Sequence, residues 1–155
     1  MSATQALLPF VLLASGMAAG VMMWTQLGGW PLLASLPPDR YVATHAFFAR
    51  KYDPFMPTCF LITVAGGIAL AVSTGQPTAR TLFVVSSALA VISIGISLRK
   101  NVPVNRWLQT LDPDSLPADF ASVDPRRDWG LWNRIRAGLA ILAFAANCGA
   151  LVALL

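Results

Sequence analysis

Few side chains in this sequence are equipped for chemistry. His45 is the sole histidine, and imidazole is the side chain that takes and returns a proton near neutral pH, so it is a candidate general base. Its neighbours Tyr41, Phe47, Phe48 and Tyr52 would suit an interfacial aromatic belt equally well. Arg136 could hold an anionic substrate group or a developing oxyanion, or simply reach for lipid phosphates. Asn101, Asn105 and Asn133 supply neutral hydrogen-bonding groups, and Trp129 and Trp132 supply flat apolar faces. One histidine without glutamate or a spaced cysteine pair offers no first-row metal its usual ligands, so no metal site is expected. A single axial histidine could still carry haem, and that alternative stays open.

Membrane helices must position these groups. The 155 residues are 56% hydrophobic and 12% charged, about half the ~25% charged share of soluble domains. So little charge cannot cover a soluble surface, which excludes a cytosolic enzyme, a disordered tail and a disulfide framework. The net charge of +4 comes without a basic face or interleaved stacking positions, which excludes nucleic-acid binding. Apolar runs occupy about 6–27, 55–74, 79–98 and 137–155, each close to the ~20 residues that cross a bilayer core. The first lacks the basic start of a signal peptide and reads as a retained helix. Gly75-Gln76-Pro77 makes a tight turn, so the second and third runs are antiparallel neighbours. Cys59 and Cys148 lie at depths that differ by about 10 Å along their helices, which predicts two free thiols.

Ten of the 11 basic residues fall in the segments 28–54 and 99–136, and only Arg80 lies across the membrane from them. This asymmetry places both segments in the cytoplasm and both termini on the other side of an inner or plasma membrane. Helix signals continue into those segments. Pro37-Pro38-Asp39 opens one helix, and Asp124-Pro125 reads as an N-cap followed by a first-turn proline. The expectation is therefore a single all-α domain over 1–155. It is an integral membrane four-helix bundle with helices 2–4 extended about two to three turns into the cytoplasm, and 111–123 as the connecting loop.

Small and polar residues recur at heptad spacing on three of these helices. The second carries His45, Ala49, Tyr52, Met56, Cys59, Thr63 and Gly66; the third carries Ser86, Ala90, Ser93, Ser97, Asn101 and Asn105. The fourth carries Asn133, Arg136, Ala140, Ala143 and Asn147, and the first offers Gly16 and Gly20 as a close-packing pair. Mid-membrane, such stripes read as ordinary helix packing, with Asn147 as an interhelical hydrogen bond. At the cytoplasmic boundary they would bring Tyr41, His45, Tyr52, Asn101, Asn105, Trp129, Trp132 and Arg136 together above an apolar floor. A few converging polar groups over an apolar floor is the usual make-up of a small-molecule pocket.

Three stretches carry a family resemblance. They are His45 with Phe48-Ala49-Arg50-Lys51-Tyr52-Asp53-Pro54-Phe55-Met56-Pro57, then Asn101-Val102-Pro103-Val104-Asn105, then Trp129 with Trp132-Asn133-Arg134-Ile135-Arg136. Together they resemble the anthrone-oxygenase-like family of small four-span membrane proteins, over essentially the whole chain. The resemblance implies oxidation of an anthrone to an anthraquinone by molecular oxygen without a prosthetic group. It implies Asn101, Asn105, Trp129 and Arg136 as site residues, with His45 matching the second-helix pattern. Asn133 stands where some relatives have a histidine, a departure that bears on activity rather than fold.

The resulting expectation is an oxidoreductase with no cofactor, whose partners are a small apolar molecule, O2 and membrane lipid. A homo-oligomer is left open. His45 would take the proton, and Arg136 with Asn101 and Asn105 would hold the anion. Tyr41, Tyr52, Trp129, Trp132 and Asn133 would surround the ring. The competing expectation is a non-catalytic membrane module that binds a partner, or lipid headgroups through Arg99, Lys100, Arg126 and Arg127. The two differ in whether a pocket opens at the level of His45 and Arg136.

Overall fold

The computed structural model describes residues 3–155. In lipid every backbone polar group must be satisfied within the chain, and here four helical rods do so. The first is α1 (Ala3–Trp24), which runs through a wide turn at Thr25–Gly29 into α2 (Trp30–Ser35). The second is α3 (Pro38–Tyr52) and α4 (Phe55–Ser73), joined at a bend. The third is α5 (Pro77–Ile96), which passes through a second wide turn at Ser97–Asn101 into α6 (Val102–Leu108). After the short α7 (Phe120–Val123), α8 (Arg126–Leu154) forms the fourth. The apolar rods are 32 to 36 residues long, about 50 Å against a hydrocarbon core of ~30 Å. Their excess length lies at the end that carries the basic segments, called the charged end below. The sequence alone ends the first helix near residue 27; the structure carries it on to Ser35, so all four rods project.

Both wide turns prepare for a proline. Trp30 N–H bonds to Thr25 O and Val102 N–H to Ser97 O, the i→i+5 pattern, one residue ahead of Pro31 and Pro103. Proline lacks an N–H, and its ring clashes with the carbonyl four residues back. One extra residue in the preceding turn relieves both problems, so neither proline ends its helix. At the start of α8, Asp124 accepts the Arg126 backbone N–H at 3.0 Å and pairs with its guanidinium at 2.6 Å. The aspartate thus caps the helix from one residue before Pro125.

The rods form a square in which each packs on its sequence neighbours and α8 closes onto α1. Ala14, Ala18, Ser86, Ala90, Ser93, Ala137, Ala140 and Ala143 are buried, whereas Phe10, Leu61, Val72, Val84, Leu142 and Val152 are exposed. Lipid tails are as apolar as leucine, so burying large side chains gains little, and small residues that let backbones approach do the holding. Asn147 donates to Ser15 Oγ at 3.1 Å, tying α8 to α1. A β-carbon at Gly16 would press on Phe144, but one at Gly20 would meet nothing. The glycine pair read from the sequence is therefore a single point of close approach. Cys59 and Cys148 are unbridged.

A second core roofs the charged end, where Leu33, Tyr41, Val42, Leu108 and Phe120 are buried together. Trp107 stacks on Phe120 with centroids 5.9 Å apart. Arg126 Nη1 donates to Leu36 O at 2.7 Å while its guanidinium covers Tyr41 at 4.8 Å. The segment that reads as a loop in the sequence is thus part of a packed cap. Beside it, α2 lies so close to α8 that a β-carbon at Gly130 would overlap the Trp30 indole. Gly130→Ala is expected to lower the thermal midpoint by overpacking, a cost of about 1–3 kcal/mol. Gly138→Ala, whose β-carbon meets nothing, should leave the midpoint unchanged; equal losses in the two variants would contradict this packing.

Candidate active site

Helix spacing delivers the polar groups. On α3, Tyr41, His45, Ala49 and Tyr52 follow at intervals of four, four and three, and on α8 Trp129, Asn133 and Arg136 follow at four and three. Asn101 and Asn105 lie one turn apart, and the wide turn before Pro103 sets their register. His45, Tyr52, Asn105, Trp129, Asn133 and Arg136 all line one pocket at the charged end. Its cavity volume is about 110 Å³. Thr25 and Gly29 from one wide turn and Ser97 from the other also border it.

One amide carbonyl organises the reactive groups. Trp129 Nε1 donates to Asn105 Oδ1 at 2.8 Å, and His45 Nε2 lies 3.0 Å from the same oxygen. Indole is a donor only, so the atom facing it must be the amide oxygen, which fixes the orientation of Asn105. That oxygen only accepts, so His45 Nε2 must carry the proton. The neutral ring then keeps its lone pair on Nδ1, which is buried and meets no partner. The edge of the imidazole packs against Trp129 at 4.6 Å and Tyr41 at 5.3 Å.

Arg136 is the second unusual group. It is buried at 8% relative exposure, and its Nε meets no acceptor. Among the described residues the only ion pair is Arg126–Asp124, so Arg136 has no carboxylate within bonding distance. The Asp53 carboxylate acts on it through space without a bond, so the desolvated cation is only partly compensated, and an anionic guest would add to that compensation. Asp53 is the single carboxylate in the lining and is exposed. Around these groups stand five aromatic rings, those of Trp24, Trp30, Phe48, Tyr52 and Trp129.

Three residues named from the sequence stand outside the lining. Asn101 is buried and donates from Nδ2 to Trp129 O at 3.3 Å, so it holds the last helix in register. Tyr41 is fully buried behind His45 in the roof core. Trp132 is half-buried under the Lys100 ammonium, 5.1 Å from the ring centroid. Conversely, the sequence reading passed over the first rod. Its Thr25 hydroxyl accepts from Asn133 Nδ2 at 3.0 Å and donates to Met22 O at 2.7 Å. Val21, Met22, Trp24, Gly29, Trp30 and Leu33 complete that wall. Trp24 and Trp30 flank an apolar terminus and were legible as interface aromatics; Asp53 carried no signal beyond its charge.

The family model for anthrone oxygenase matches residues 45–146. The chain belongs to the anthrone oxygenase family. No curated protein and no solved structure compared with the chain matches it. The anthrone oxygenase match begins at His45 and takes in Asn105, Trp129, Asn133 and Arg136. It therefore spans every polar group of the site named so far except Thr25, while the apolar wall from the first rod lies outside it.

The tautomer gives a direct check. In neutral His45, ¹⁵N NMR is expected to show the proton on Nε2. Asn105→Leu should mix the tautomers and cost about 1 kcal/mol by removing the shared acceptor of two part-buried donors. A protonated Nδ1 in the wild-type neutral ring would contradict the geometry.

Proposed function

We propose that this pocket binds a planar aromatic carbon acid of the anthrone kind and oxidises its methylene carbon to a carbonyl with O2. The observation that carries this is one aromatic-lined pocket bordered both by His45, whose buried Nδ1 has no hydrogen-bond partner, and by the buried Arg136, which has no bonded carboxylate. His45 Nδ1 removes a proton from the methylene, and the charge moves onto the carbonyl oxygen across the ring, facing Arg136. The anion gives one electron to O2, and the resulting radical and superoxide join in a C–O bond. The peroxide takes the proton back from His45. His45 then removes the second C–H proton as the O–O bond breaks, and the departing hydroxide becomes water with that proton. The sum is CH2 plus O2 giving C=O plus H2O, with His45 restored.

The aromatic walls hold the ring flat and keep water from the carbanion. This sequence needs no prosthetic group. Haem ligation through His45 finds less support, because Nε2 is already engaged by Asn105. A non-catalytic module would be better served by a filled seam than by an open pocket at this level. The basic residues at the charged end support a cytoplasmic location for that end, with both termini across the inner or plasma membrane.

Purified protein in lipid is expected to consume one O2 for each anthrone converted to anthraquinone. His45→Ala should slow turnover by about 10²–10⁴-fold and Arg136→Ala by about 10²–10³-fold. Rates unchanged in both variants would overturn the mechanism.

A further inference from the structure

The way into this pocket has a definite direction. Its roof is closed by the packed cap of Leu33, Tyr41, Val42, Leu108 and Phe120, and Leu33 is shared between cap and pocket. Below, the bundle narrows onto buried Ala18, Cys59, Ala90, Ala137 and Ala140. The lining residues that remain exposed are Trp24 on the first rod and Asp53 and Pro57 on the second. These three mark a gap between α1 and the α3–α4 junction. The gap sits where the charge-free run of the second rod begins, so its rim is at the boundary between headgroups and hydrocarbon. Met23, Leu27 and Phe55 beside it are exposed and apolar, a lipid-facing surround.

We infer that the pocket opens sideways into the bilayer and takes its substrate from the membrane, with Trp24 as the gate. Trp24 is 42% exposed yet lines the pocket, and its ring meets Phe48 edge-on at 5.5 Å and Tyr52 at 6.1 Å. It holds this place because Gly29 has no side chain: a β-carbon there would sit 2.7 Å from the indole. The wide turn at Thr25–Gly29 brings that glycine beneath the ring. The guest that fits this route is a flat molecule that partitions into lipid, apolar over most of its surface with a polar edge. It slides past Trp24 ring-first toward buried His45 and Arg136.

This inference rests on the proposed substrate class but not on the chemistry, and binding kinetics separate the two. Anthraquinone, which does not react with O2, should quench the fluorescence of the remaining pocket tryptophans in lipid nanodiscs. Trp24→Ala is expected to raise the association rate by about fivefold or more, with the dissociation rate rising by at least as much because the variant also loses one wall of the pocket. Gly29→Ala, which keeps the tryptophan and displaces it, should shift both rates in the same way if its thermal midpoint stays near wild type. Anthraquinone sulfonate, held in water by its charge, should associate at least about tenfold more slowly at equal aqueous concentration. Wild-type rates in both variants, or equally fast binding of the sulfonate, would overturn the lateral gate. Gated binding without oxygen uptake from an anthrone would leave the gate standing and overturn the oxygenase reading. No quenching by anthraquinone would overturn both.

Discussion

The oxygen of a single amide, Asn105 Oδ1, holds the site together. It accepts from the indole of α8 and the imidazole of α3, so three rods meet at one atom. A half-buried acceptor with two donors is a joint with little freedom, because losing either one leaves a polar group less well satisfied. The joint also fixes the tautomer of His45. With Nε2 tied to Asn105, Nδ1 is the nitrogen of His45 left without a partner.

The surrounding bundle explains how such a joint is affordable in a membrane protein. Much of its interior is alanine and serine, with Val11, Leu70 and Phe83 among the larger side chains enclosed, while many other large apolar side chains face lipid. Close backbone contact holds the rods in the lower half, and polar contacts appear as they leave the hydrocarbon. There the wide turns before Pro31 and Pro103 open the packing and border the cavity. The cap over the charged end then keeps water from above. Arg136 is buried without a bonded carboxylate, with only the Asp53 carboxylate acting on it through space. The same cation that disfavours the empty pocket thus favours the charge formed in the proposed reaction.

Much of this was legible beforehand, for physical reasons. A bilayer demands charge-free helices of a set length, so hydropathy alone locates four spans. Heptad stripes locate His45, Asn105, Asn133 and Arg136 because helix geometry carries spacing directly into direction. Other features had no such signal. Pro31 and Pro103 look like breakers, and only the backbone shows a widened turn absorbing each. Trp129 and Trp132 are three residues apart and similar in type, yet the first meets Asn105 and the second lies under Lys100. The difference is a fraction of a turn. Tyr41 shares a stripe with His45 but is claimed by Leu108 and Phe120, residues far away in sequence. The apolar wall from the first rod was missed because a search for polar stripes passes over Trp24, Gly29 and Leu33.

The central claim is that His45 and Arg136 face a common guest. A structure of the protein in lipid with anthraquinone bound tests it most directly. The account predicts one carbonyl oxygen about 3 Å from the Arg136 guanidinium, with the opposite ring carbon facing His45 Nδ1 and the plane lying among Trp24, Phe48 and Trp129. A ligand bound elsewhere, or an Arg136 turned out to lipid phosphate with the pocket empty, would contradict it.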